Sequence, residues 1–394
     1  MKILIFNSLY PPNIIGGAEL SVRFLAEALV KLGHHVTVIS LSPHKGTTID
    51  TINGVKIYYV GLKNIYWPFN VGKYLSITRP IWHLLDICNP LMGKIAEKII
   101  HIEHPDIINT NNLSGFSIAA WLSSKKKRVP IVHTIRDHYL LCPRTTMYHK
   151  ERLCDSQCFE CRSFSFYKKH KSSIVDGVVG ISRYIADKHF DSGYFKNAKI
   201  KIIIPNSYDV VQDFKKKPSN RMRFGYIGRL HPSKGIEKAL AAFKQLKTVN
   251  FEFFIAGRGT NEYEKKLHRK YKSQNFYFLG FVEPELFFSK IDVLIVPSLW
   301  NEPFGRSIIE AFAHGIPVVG SNKGALPQLI DNGKTGFIYK TEKPTGLFNI
   351  IKKIILNPGL LKGKQSYTLK KAKCFLPENI AYQYLDIYEK IVKA

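Results

Sequence analysis

The chain has 394 residues, enough at roughly 100 to 200 residues per domain for two or three units with separate cores. Apolar residues make up 45% and charged residues 22%, which excludes a disordered or fibrous chain, and six cysteines in this length exclude a disulfide-stapled miniprotein. Lys and Arg number 58 against 30 Asp and Glu, and the resulting net charge of +28 predicts phosphate-bearing partners: nucleic acid, anionic lipid or nucleotides. No cationic stretch followed by an apolar core and a cleavage site opens the chain, and no run of about 18 apolar residues is long enough to span a bilayer. The expected setting is therefore cytoplasmic, where cysteines serve as thiols or metal ligands rather than disulfides.

Residues 2–6 form an apolar run, followed by Tyr10-Pro11-Pro12 and Gly16-Gly17. Leu20, Phe24, Leu25, Ala28 and Leu29 then recur at helical spacing until Gly33. Residues 35–40 supply the next strand and complete a βαβ unit. Further strands are expected at 107–108, 131–133, 178–181 and 202–204, an alternation with helices that implies a parallel sheet covered on both faces. The Lys-rich stretch from Gln212 to Asn220, which contains Pro218, reads as a linker. The pattern then restarts, with strands expected at 224–227, 251–256, 276–279, 293–296 and 317–320. The expected fold class is α/β: two doubly wound, Rossmann-like domains in series, residues 1–205 and 206–376, followed by a helix over 377–394 with Ile380, Tyr384, Ile387, Tyr388 and Ile391 at helical spacing.

Open α/β sheets bind ligands beyond the carboxyl ends of their strands, so the chemistry belongs in the turns there. Asn301-Glu302-Pro303-Phe304-Gly305-Arg306 follows a strand ending at Pro297-Ser298 and predicts a turn opening a helix that runs through Glu310 to Gly315. The amides of residues 304–307 make a cradle for phosphate or hydroxyl groups. Glu302 and Glu310 can each accept hydrogen bonds from paired hydroxyls, which suits a ligand with phosphate between two sugars; the plainer account is a capping acid and a solvated Glu. Gly228-Arg229-Leu230-His231-Pro232-Ser233-Lys234-Gly235 follows the first strand of the second domain. Gly228 allows a close turn, while Arg229 and Lys234 offer a forked and a point cation to a diphosphate, or are two solvated cations of a basic protein. Gly16-Gly17-Ala18-Glu19 takes the matching place in the first domain.

Glu302 and Glu310 within E-P-F-G-x-x-x-x-E-A, the G-R-L-x-x-x-K-G turn, the G-G-x-E loop and Ile204-Pro205-Asn206-Ser207-Tyr208-Asp209 together resemble glycosyltransferase family 4, over nearly the whole chain and in the family's order. The resemblance implies a retaining enzyme of GT-B fold, two Rossmann-like domains facing a cleft, with the last helix returning to the first domain. It implies a UDP- or GDP-sugar as donor and a glycan or lipid-linked saccharide as acceptor, in cell-surface polysaccharide or glycolipid synthesis. Arg229 and Lys234 would hold the donor diphosphate, Glu310 the ribose, and Glu302, with the backbone of Phe304 and Gly305, the hydroxyls of the transferred sugar. Gly16 and Gly17 would close on the donor, and Asn206, Gly228 and Pro303 belong to the same donor motifs. His133 matches a family His at the end of a first-domain strand near the reaction centre; its plainer reading is a satisfied polar residue at a strand end. The sequence departs from the family pattern at Thr134, where Asp is common, at Ser207, where Gly is frequent, and at Gln328, where Glu is frequent. Arg306 stands where an apolar residue is usual, as a phosphate contact or a surface residue. Catalysis requires no metal on this reading, because cations and helix amides meet the charge on the leaving diphosphate. A hydrolase or epimerase of the same fold is the alternative, and a basic nucleic-acid-binding protein is a further one, disfavoured by basic runs scattered over separate segments and by the lack of any nucleic-acid-binding motif.

Cys142, Cys154, Cys158 and Cys161 occupy a loop just after the His133 strand, and four thiolates there suit a structural zinc, with free thiols, disulfides or a cluster as alternatives. Cys88 and Cys374 sit in apolar helical context and are expected in the core. Residues 62–100 interleave Lys63, Tyr66, Trp67, Phe69, Lys73, Tyr74, Arg79, Trp82, Lys94 and Lys98. That pattern suits an anionic membrane surface as well as amphipathic helices packed on the first domain. Residues 125–128 and 168–171 add two basic runs to the same domain, so a peripheral place on the inner face of the membrane is the expectation.

Overall fold

The computed structural model describes residues 1–69, 78–149, 152–209, 219–246 and 250–393; Lys73, Tyr74 and most of the Gln212 to Asn220 stretch lie outside them. The chain divides into two compact units, one of Met1–Met147, Cys154–Ser207 and Pro377–Ala394, the other of Tyr148–Leu153 and Tyr208–Leu376.

Up to Ile203 the strands are β1 (Lys2–Phe6), β2 (His35–Ser42), β3 (Thr47–Ile52), β4 (Val55–Gly61), β5 (Ile107–Thr110), β6 (Ile131–Ile135), the separate antiparallel pair β7 (Tyr148–His149) and β8 (Arg152–Leu153), then β9 (Gly177–Gly180) and β10 (Ile200–Ile203). The helices between them are α1 (Gly17–Lys31), α2 (Thr78–Leu85), α3 (Pro90–Glu103), α4 (Ala119–Lys126), α5 (Phe159–Lys171) and α6 (Arg183–Asp191). The sheet of the first unit runs β10-β9-β6-β5-β1-β2-β4-β3 and is parallel except for β3, which pairs antiparallel with β4. Ile3, Leu4, Ile5 and Phe6 are all buried, the continuous apolar run that a central parallel strand covered on both faces requires. The β3–β4 hairpin, unforeseen from periodicity, turns on Asn53 and Gly54, both at positive φ.

The second unit contains β11 (Met222–Ile227), β12 (Phe251–Ala256), β13 (Phe276–Gly280), β14 (Val293–Val296), β15 (Val318–Ser321) and β16 (Gly336–Tyr339). Its helices are α7 (Ile236–Lys244), α8 (Asn261–Lys270), α9 (Pro284–Phe288), α10 (Arg306–Ala313), α11 (Leu326–Leu329), α12 (Gly346–Leu356) and α13 (Lys364–Ala372). The all-parallel order β13-β12-β11-β14-β15-β16 is the doubly wound Rossmann order, and the first sheet, apart from its added β3, reverses direction in the same way between β1 and β5. The expected fold class is therefore present in both units. Phenylalanines fill the core of the second, with Phe243 stacked on Phe253 at 4.3 Å.

The last helix, α14 (Pro377–Val392), belongs to the first unit. Its Ile380, Tyr384, Ile387, Tyr388 and Ile391 join the core that Val22, Leu25 and Leu29 of α1 build against the sheet. Tyr384 Oη lies 3.2 Å from Thr134 Oγ1 of β6, and Ile391 comes so close to β9 that a Cβ on Gly177 would stand 2.3 Å from it.

Candidate active site

In the second unit the strand order reverses between β11 and β14, and the segments leaving these strands carry the candidate donor residues. After β11 the chain turns at Gly228, and the Leu230 amide donates to the Arg258 carbonyl at 2.8 Å. The Ser233 carbonyl accepts from the amides of Leu299 and Trp300 at 2.8 and 3.1 Å. Gly235, at φ 72°, stands where a Cβ would lie 1.9 Å from the Pro297 carbonyl oxygen. The turn after β11 is thereby docked on the segment after β14.

This docking sets Lys234 Nζ 2.7 Å from Glu302 Oε1, an oxygen that also accepts from Ser298 Oγ at 3.0 Å. The ammonium lies 4.9 Å from the centre of the Trp300 ring. Glu302 is buried and Lys234 half-buried, so the pair sits in a medium that strengthens it. The Glu302 backbone is fixed as well: its carbonyl accepts from the Ala325 amide at 2.9 Å, and a Cβ on Gly324, at φ 57°, would stand 2.3 Å from the Glu302 carbonyl oxygen. Pro303 and Phe304 are buried, and Gly305, at φ 107°, caps α10. The first-turn amides of a helix have no intrahelical acceptors and carry the positive end of its dipole, so this terminus favours an anion. One turn inside, Arg306 Nε donates to Glu310 Oε1 at 2.7 Å, and the guanidinium lies 5.3 Å from the Tyr208 ring centre. Arg229 is exposed. Lys234 and Glu302, and likewise Arg306 and Glu310, are thus brought together in pairs on either side of the α10 N-terminus, cations for an anion and carboxylates for hydroxyls. Ser298 and Gly324, which support Glu302, entered the sequence reading only as a strand end and as part of the segment that holds Gln328, without a role in the site.

In the first unit Gly16 caps α1 and its amide donates to Glu19 Oε2 at 2.9 Å, with Gly17 opening the helix; burial raises the Glu19 carboxyl. Asn206 Oδ1 accepts from Arg136 Nη1 at 2.5 Å, and Arg136 Nε donates to Asn111 Oδ1 at 2.8 Å. Arg136 joins the segments that follow β5, β6 and β10, a role the sequence reading missed because it ended β6 at His133; the strand runs to Ile135, and Arg136 is the first residue beyond it.

His133 requires a correction. It lies in the middle of β6 rather than at its end, with its ring 5.0 Å from Trp121, stacked on Phe195 at 5.5 Å, and Nδ1 2.9 Å from Thr110 Oγ1. Burial pushes its pKa down to about 3, so the ring is neutral. A side chain so enclosed packs among the aromatic residues behind the sheet rather than standing at a strand end.

Cys142 and Cys161 are buried, Cys154 half-buried and Cys158 exposed, and none is in a disulfide. Cys158 caps α5, and the nearby Cys161 amide at the helix start holds its thiol below the usual range, whereas burial pushes the Cys161 thiol up. The four thiols lie close enough to act on one another: Cys142 and Cys158 both act on Cys154 and on Cys161. Among the described residues no group of three or more His, Cys, Asp or Glu side chains is disposed to hold a metal ion. Cys88 is half-buried and Cys374 exposed, so neither is the core residue expected.

Two family models match the chain: Glycosyltransferase Family 4 over residues 15–211 and Glycosyl transferases group 1 over residues 209–372. A Klebsiella pneumoniae protein described as an uncharacterized 42.6 kDa protein in a cps region is 37% identical, over 84% of this chain and 87% of its own. Sucrose-phosphate synthase from Thermosynechococcus elongatus superposes with a TM-score of 0.77, over 100% of this chain and 99% of its own, at 20% identity. HepE of Anabaena, solved in complex with UDP and glucose, superposes with a TM-score of 0.72 over 99% of each chain, also at 20% identity. At those identities the solved structures share the fold.

Proposed function

This chain belongs to glycosyltransferase family 4, and from that premise we propose that it is a retaining enzyme that moves a hexosyl or N-acetylhexosaminyl group from a UDP- or GDP-sugar to a glycan or lipid-linked saccharide. The observation that carries the donor assignment is the Lys234–Glu302 pair beside the α10 N-terminus, at the reversal point of the second sheet. The complex of HepE with UDP and glucose supports a nucleotide-sugar donor.

In this reading the diphosphate lies at the α10 N-terminus, with Lys234 turning from Glu302 to its oxygens and Arg229 joining from the exposed side. The Glu302 carboxylate then accepts from the hydroxyls of the sugar and the Phe304 and Gly305 amides donate to them, while Glu310 accepts from the ribose. As the bond from the anomeric carbon to the diphosphate oxygen breaks, its electron pair stays on the diphosphate, where both cations and the helix amides stabilise it. The acceptor hydroxyl forms the new bond on the same face while its proton passes to a diphosphate oxygen. Configuration is retained without the protein nucleophile of a two-step route. No step of this proposal is assigned to a metal. The acceptor we favour is a lipid-linked saccharide at an anionic membrane surface, which the exposed cations at 125–128 and Lys169 in the first unit support, Lys168 of the second basic run being buried. Among the described residues no helix is long and apolar enough to cross a membrane.

Product mass and anomeric configuration, read after incubation with UDP- and GDP-sugars and candidate acceptors, test the reading. Lys234→Ala and Glu310→Ala are each expected to cut turnover at least about tenfold, equivalent to about 1.4 kcal/mol of transition-state stabilisation. Full activity in both variants overturns the site. Donor consumed equally fast without acceptor favours a hydrolase or epimerase instead.

A further inference from the structure

Helix α5 is inside out. Its buried positions Cys161, Ser165 and Lys168 follow helical spacing and carry small or polar side chains. Phe159 and Phe166, two turns apart on the opposite face, are 86% and 75% exposed. Hydrophobic free energy alone would have turned the helix the other way. What holds it is polar: the buried Lys168 ammonium lies 3.5 Å from the Tyr139 ring centre, in the field of the buried Asp86 and the half-buried Asp137 carboxylates. Asp86 in turn follows directly on α2, and α2 is laid against α5 through His83, whose ring lies 6.1 Å from that of Phe164.

Helix α2 repeats the pattern. Trp82, which the sequence grouped with the interfacial aromatics, is buried and donates through its indole nitrogen to the Tyr66 carbonyl at 3.0 Å. Ile81, Leu84 and Leu85 face solvent instead, Leu84 being 62% exposed. Two neighbouring helices therefore each spend their polar or aromatic anchor inward and present aliphatic and phenyl groups outward. Basic side chains border these groups: Arg162 and Lys169 beside the phenyls of α5, Arg79 on α2. Glu160, the sole acidic residue of α5, is paired with Arg144 at 3.3 Å, and α2 has no acidic residue.

We propose that the exposed faces of α2 and α5 form the surface by which the first unit docks on an anionic phospholipid bilayer, with Phe159 and Phe166 entering the interface and Arg162 and Lys169 meeting headgroup phosphates. Apolar groups bordered by cations are the two-signal combination that reversible membrane attachment needs, since neither signal alone anchors a chain. The net charge of +28 gives the approach its long-range attraction. The docking face gives a purpose to the lipid-linked acceptor proposed above and rests on that reading for its role, but its existence is measurable without substrate.

Co-sedimentation with vesicles of phosphatidylcholine alone, and with phosphatidylglycerol added, tests it on the full chain. The wild type is expected to bind only the anionic vesicles, and less at physiological than at low salt. Phe159→Ser/Phe166→Ser and Arg162→Gln/Lys169→Gln double variants are each expected to lose at least tenfold in vesicle binding. Both should keep the wild-type circular dichroism and the wild-type turnover of a soluble acceptor, because neither pair belongs to the donor site. Wild-type vesicle binding by the phenylalanine variant overturns the proposal, since adsorption would then be purely electrostatic. Absence of binding by the wild type overturns it too, and leaves a protein partner as the occupant of this face. Lys234→Ala that is inactive yet binds vesicles separates failure of the donor reading from failure of this one.

Discussion

Two carboxylates of similar burial, Glu302 and Glu310, each hold a cation at 2.7 Å, and each cation is a group that a diphosphate could claim. The pairs keep both charges satisfied until a ligand arrives, which avoids the cost of an unpaired buried charge. His133 shows the opposite solution at residue scale, a titratable ring kept neutral by enclosure. Its folded pKa of about 3 lies below the ordinary value of 6.5, so between those values the unfolded chain binds a proton that the folded chain does not. Stability therefore falls as pH drops through 6.5, by about 1.4 kcal/mol per unit from this residue, and is indifferent to it above. His133→Asn is expected to lose that dependence: between about pH 7 and about pH 5 the wild type should lose about 2 kcal/mol more than the variant in urea unfolding. Its turnover on donor should stay within about tenfold of wild type; a larger loss with the fold intact would return His133 to the chemistry.

At the scale of elements, the candidate site depends on how closely two turns approach. Gly235 and Gly333 both have positive φ, 72° and 85°, yet a Cβ on Gly235 would meet the Pro297 carbonyl whereas one on Gly333 would meet nothing within 4 Å. Gly333→Ala should therefore show only the left-handed backbone cost of about 1–2 kcal/mol. Gly235→Ala adds displacement of the Lys234 turn, and is expected to weaken nucleotide binding at least tenfold in calorimetry while Gly333→Ala leaves it unchanged. Equal affinities in the two variants would mean that the docking of the turns does not set the site. The motif residues around Lys234, Glu302 and Glu310 were legible from sequence because a turn between a strand and a helix writes itself in Gly, Pro and charge. The β3–β4 hairpin was not: β3 is mostly exposed and carries no apolar alternation, although Asn53-Gly54 was a turn signal there to be used. Nor was Arg136, whose place follows from where β6 ends, and strand ends are set by pairing with β5 and β9 rather than by local residues. The cysteine spacing was legible as a cluster, but the turn that sets Cys158 at the start of α5 was not.

For the whole molecule, sequence order and domain membership part company at α14. Seven of its side chains are buried, six of them large, and they complete a core whose other members begin at Ile3, almost the full length of the chain away. At about 1.5–3 kcal/mol for each large apolar side chain, their burial contributes on the order of 10 kcal/mol, comparable with the whole stability of an ordinary domain. The second unit has its own core of Phe224, Phe243, Phe253 and their neighbours, to which α14 contributes none of the clustered residues. Ending the chain at Leu376 is therefore expected to unfold the first unit and spare the second. Hydrogen exchange read by mass spectrometry should find the amides of β1, β5 and β6 unprotected in the truncated chain, with β11, β12 and β14 protected as in the full one. Loss of protection in both sheets would show that the two units fold only together, and protection of β1 would show that the core of the first is complete without its last helix.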